Sequence, residues 1–71
     1  MQLSARIATW REERGLSQTD LARHVGVTPA AVNHWEEGKT QPTHENLALI
    51  AQALGLSMSE FWGPLPKRKA S

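Results

Sequence analysis

The sequence predicts an all-α domain of five short helices. Helix-starting and helix-ending residues recur at short intervals along the chain, and no segment alternates apolar and polar residues as a half-buried strand does. Between those signals the apolar residues fall three and four apart, the spacing that gathers side chains on one face of a helix. Finally, 71 residues without a cysteine suit one domain held by packing, with no disulfide and no thiolate-bound zinc.

Ser4 is the expected N-cap of a first helix that ends near Arg14. Ile7, Trp10 and Arg14 lie at i, i+3 and i+7, with Ala8 and Arg11 alongside, and Gly15 supplies the left-handed residue that ends it. Ser17 opens the second helix. Asp20 stands in for the usual glutamate of a capping box, and Leu16 and Leu21 form a hydrophobic staple across the start. Leu21, Ala22 and Val25 make its buried stripe and Gly26 its stop. Thr28-Pro29 opens the third helix, since proline is tolerated at the first helical position where its missing N–H has no partner anyway. Val32 and Trp35 point inward, and Gly38 ends it. After the loop Lys39-Thr40-Gln41-Pro42, Thr43 caps a fourth helix with Leu47, Ile50, Ala51 and Leu54 on one face. Ser57 and Glu60 form a full capping box for a fifth helix carrying Met58, Phe61 and Trp62, and Pro64 and Pro66 forbid its extension.

The formal net charge is +1, and it is unevenly spread. Up to residue 60 five basic side chains meet seven acidic ones; Lys67, Arg68 and Lys69 then add three positive charges. The expected division is a domain over 1–63 and a basic, disordered tail over 64–71, too polar to pack. A body with this charge is no electrostatic binder of nucleic acid. No apolar run approaches the roughly 20 residues of a membrane helix. The start MQLSARIATW lacks the pattern of a signal peptide, so a cytoplasmic protein is expected. Ser17 and Ser57 are accounted for as caps, and the three histidines lie on separate helices without an i, i+4 metal pair. The expectation is therefore no enzyme, no cofactor, no metal, no membrane and no small-molecule substrate.

The segment from Gln18 to Glu37, QTDLARHVGVTPAAVNHWEE, joins two helices through one glycine at the length of a helix-turn-helix. Ala22 is small where the third helix crosses, Gly26 takes positive φ at the turn, and Leu21, Val25, Val27, Val32 and Trp35 fill the wedge. Around it stand R-I-x-x-W-R-E-E-R-G-L-S-Q, V-x-x-W-E-x-G and P-T-x-E-N-L-x-x-I-A-x-A-L-G-L-S. This ordered set, over residues 4–62, closely resembles the Cro and lambda-repressor-like (Xre-type) helix-turn-helix family.

The resemblance implies a compact five-helix lambda-repressor-like DNA-binding domain in a bacterial or phage transcriptional regulator, with repression the expected activity. It further implies a homodimer on a palindromic double-stranded operator, each third helix in the major groove. Carried over position by position, Ala30, Asn33 and His34 would face bases. Asparagine can bond adenine in bidentate fashion, histidine can donate to guanine, and alanine offers a methyl to thymine. Pro29 departs from the polar residue frequent in the family and reads as a helix initiator. Gln18, Thr28, Lys39 and Thr40 would meet phosphates, with Gln41 and Thr43 weaker candidates. Arg11 and Glu36 match a structural ion pair tying the first helix to the end of the third. Trp10, Trp35, Phe61 and Trp62 are assigned to core or subunit interface, not to base stacking. Some relatives act as antitoxins, so the alternative is an interaction module whose main partner is a protein.

Overall fold

A computed structural model describes residues 3–66, and the regular structure among them is all helical. The elements are α1 (Leu3–Glu13), α2 (Gln18–Val25), α3 (Pro29–Glu37), α4 (His44–Ala53) and α5 (Met58–Trp62). The domain is the predicted all-α one with five helices. Of the expected basic tail, Lys67, Arg68 and Lys69 lie outside the described residues.

Helices α2 to α5 each open on the side-chain cap expected from the sequence. Ser17 Oγ accepts the Asp20 N–H at 3.0 Å while the Asp20 carboxylate accepts the Ser17 N–H at 3.0 Å. Ser57 and Glu60 repeat the reciprocal pair at 3.0 and 2.8 Å. Thr28 and Thr43 accept from the Ala31 and Asn46 N–H groups at 3.2 and 3.1 Å. Each cap satisfies an N–H that the helix leaves without a partner, worth about 1 kcal/mol. Accepting a backbone N–H favours the ionised carboxylate, so Asp20 and Glu60 are both held below their ordinary pKa range. Ser4 is different. The helix already includes Leu3, so Ser4 is a helical residue and not the cap.

Four helix ends share one device. Leu16, Val27, Lys39 and Leu56 each donate a backbone N–H to the carbonyl five residues back, at 2.9–3.1 Å. Each follows a glycine of positive φ. At Gly26, φ is 87°, a conformation that costs a side-chain-bearing residue about 1 kcal/mol or more. Leu16, Val27 and Leu56 then turn their side chains onto the core. Lys39 occupies the same slot after α3 and is exposed.

The core gathers where the helices cross. α2 packs on both α3 and α4, α1 on α3, and α5 on α4. Ile7, Leu21, Val32, Ile50 and Phe61 are fully buried at its centre, with Trp10 and Trp35 at its edge. The inward stripe of α1 differs from the expected one. Arg14 is exposed, its guanidinium 5.7 Å from the Trp10 ring. Arg6 is buried instead, at 2% exposure. Its Nη1 donates to the carbonyls of Phe61 and Gly63, both at 2.6 Å, and Trp10 Nε1 donates to the Phe61 carbonyl at 3.2 Å. The arginine thus satisfies backbone acceptors at the end of α5 that the helix itself leaves open. Its guanidinium also lies 5.6 Å from the Trp62 ring.

Candidate nucleic-acid interface

The two central helices are set at a fixed angle by the residues between them. Gly26 ends α2, Val27 packs inward, and Thr28 caps α3 within two residues of the turn. Val32 and Trp35 anchor the inner face of α3. Its opposite face is open: Thr28, Pro29, Ala30 and His34 are exposed, and Asn33 is half-buried at the seam with α2. Pro29 stands at the first helical position and has no N–H to offer.

Behind that face lies a polar cluster joining three helices. Arg11 of α1 grips Glu36 of α3 by two bonds, Nε to Oε2 at 2.6 Å and Nη2 to Oε1 at 3.0 Å. Nη1 of the same arginine donates to the Leu16 carbonyl at 2.8 Å, fixing the α1–α2 connection as well. The bond to Glu36 holds the Arg11 guanidinium above its ordinary pKa range despite opposing burial. Gln18, at the start of α2, completes the cluster. Its Nε2 donates to Glu36 Oε1 at 3.0 Å and to Asn33 Oδ1 at 3.2 Å. Both amide hydrogens are then spent, leaving the backbone N–H at the helix N-terminus as the donor this residue can show to an anion.

The remaining candidates lie around α3. The Thr28 hydroxyl accepts the Ala31 N–H and keeps its own proton to donate. Lys39 reaches Glu37 at 3.2 Å, both side chains largely exposed, so this pair is weak. Thr40 and Gln41 are exposed and line a cleft of about 440 Å³ with Leu3, Trp35, Pro42 and Trp62, beyond the C-terminal end of α3. Thr43 is occupied as the α4 cap. Phe61 is buried in the core, whereas Met58, Trp62 and Leu65 are exposed near one another in sequence. Two features are absent from the sequence reading: the link from Gln18 to Asn33, and the burial of Arg6. Among the described residues no group of three His, Asp or Glu is placed to hold a metal, and no helix is long and apolar enough to cross a membrane.

This geometry has close counterparts. A family profile described as helix-turn-helix matches residues 7–61. The cryptic phage CTXphi transcriptional repressor RstR of Vibrio cholerae is 33% identical over 63 residues, 89% of this chain and 56% of RstR. Multiprotein-bridging factor 1 of Eremothecium gossypii is 35% identical over 52 residues, 73% of this chain and 34% of that protein. The chain thus spans little more than half of one relative and about a third of the other. The solution structure of the P22 c2 repressor DNA-binding domain superposes with a TM-score of 0.84 at 30% identity, covering 97% of this chain and 92% of that one. The crystal structure of the same repressor with a synthetic operator gives 0.77 at 31% identity, covering 86% and 92%.

Proposed function

The chain belongs to the helix-turn-helix family of DNA-binding transcriptional regulators, and from that premise we propose that it is a repressor acting as a homodimer on a palindromic operator, with α3 of each copy in the major groove. The observation that carries this reading is the open face of α3, with Ala30 and His34 exposed and Asn33 beside them, braced from behind by Arg11, Glu36 and Gln18. A recognition helix needs such a bare outer face and a fixed angle. Ala30, Asn33 and His34 are the proposed base contacts.

The phosphate contacts are the Gln18 backbone N–H, the Thr28 hydroxyl, Lys39 and Thr40. Phosphate suits the N-terminus of α2, where unpaired N–H groups and the positive end of the helix dipole coincide. Lys39 leaves its exposed partner at little cost. Two such domains would sit one DNA turn apart, about 34–36 Å between half-site centres. Residues 1–63 form the binding domain in this reading, in a cytoplasmic setting, and no catalytic role is assigned to any residue.

Selection from random duplex DNA tests the proposal. The expected result is a palindromic motif. No enrichment, with a protein captured instead, would favour the second reading. That reading is an interaction module, supported by the likeness to a multiprotein-bridging factor and by exposed Met58, Trp62 and Leu65.

A further inference from the structure

The polar cluster behind α3 has a direction imposed by its chemistry. The Glu36 carboxylate can only accept, and Arg11 can only donate. The group of Gln18 that lies 3.0 Å from Glu36 Oε1 is therefore its nitrogen. That same nitrogen lies 3.2 Å from the Asn33 side chain, so the Asn33 atom facing it is the carbonyl oxygen. The donor order runs from Arg11 to Glu36, and from Gln18 to both Glu36 and Asn33. One ion pair thus fixes the rotation of an amide two bonds away. Asn33 Oδ1 is turned back onto α2, and Nδ2 has no acceptor among the described residues.

We infer that Gln18 is a positioning residue that makes Asn33 a donor toward the operator, so that Asn33 selects guanine. This rests on the proposed DNA-binding function. Bidentate reading of adenine needs the asparagine oxygen to accept from N6 while the nitrogen donates to N7; guanine presents two acceptors, N7 and O6, to a group that offers N–H alone. With its oxygen held by Gln18, Asn33 meets the second pattern and not the first. Freed from Gln18, the amide can rotate and read adenine.

The test is binding selection on random duplex DNA with the wild-type chain and with Asn33→Ala, Gln18→Ala and Gln18→Met. The last keeps side-chain volume should the alanine variant fold poorly. The position whose preference vanishes in Asn33→Ala is the one Asn33 reads. At that position the wild type is expected to favour guanine over adenine by roughly tenfold, and either Gln18 variant is expected to erase or reverse that ratio while other positions keep theirs. A general loss of stability would weaken all positions together. Adenine preferred by the wild type, or an unchanged ratio in both Gln18 variants, overturns the inference alone. A wild-type selection with no motif overturns the DNA-binding reading and the inference with it.

Discussion

Arg11 and Glu36 join α1 to the last turn of α3 by two charge-assisted bonds at 2.6 and 3.0 Å. Their side chains are 12% and 8% exposed. Removing one partner from a pair this sheltered leaves a charge in a poorly solvated site. Glu36→Ala or Arg11→Ala is expected to cost about 3 kcal/mol in urea unfolding. The double replacement Arg11→Met with Glu36→Leu is expected to cost much less, because desolvation offsets most of the attraction in the intact pair. A double variant as unstable as the singles would show that the pair itself is a large net stabiliser.

Asn33 and His34 are predicted to carry sequence preference. Replacing both with alanine is expected to lower preference for the selected operator by roughly 1–3 kcal/mol per contact while non-specific duplex affinity stays nearly level. Gel-shift titrations across salt concentrations measure both. An equal fall in the two would remove these residues from the list of readers.

Lys39 is predicted to act through charge alone. Lys39→Ala is expected to weaken binding to all duplexes alike and to reduce the slope of log affinity against log salt by about one. Its surface pair with Glu37 at 3.2 Å contributes roughly 0–1 kcal/mol, so thermal stability should barely move. An unchanged slope would deny Lys39 a phosphate.

Acid is predicted to loosen the starts of α2 and α5. Asp20 and Glu60 have folded-state pKa values below their unfolded ones because each accepts a backbone N–H from its cap residue. The unfolded chain therefore takes up these protons first as pH falls. Their stabilisation is complete at neutral pH, begins to fade below about pH 4.3, and is gone once pH has passed below the folded values. The variant Asp20→Asn with Glu60→Gln is expected to flatten the acid side of the stability profile. An identical acid slope in the variant would show that other carboxylates govern it.

The starts of α2 to α5 are legible in the sequence because capping is a local transaction. Ser17 with Asp20, Thr28 with Pro29, Thr43, and Ser57 with Glu60 all act within three residues. The start of α1 is not, since a serine near the beginning of a helix has the same appearance inside it as before it. Arg6 escapes the pattern for another reason. Its acceptors, the carbonyls of Phe61 and Gly63, lie 55 and 57 residues away. Periodicity placed Arg14 inward and could not register those distant carbonyls. The Gln18–Asn33 bond spans 15 residues between two helices; each residue is recognisable alone, and their coupling has no repeating signature.

The reach of Arg6 makes the domain a closed ring. A chain cut ahead of Phe61 would keep every residue of the two central helices, yet it would strand a buried guanidinium without the carbonyls it holds. Helix α5 has only five residues, too few to persist alone in water, and it is nonetheless the clasp. A fragment meant to keep Arg6 on both of its carbonyls must therefore run on to Gly63, well past the pair of helices proposed to touch DNA.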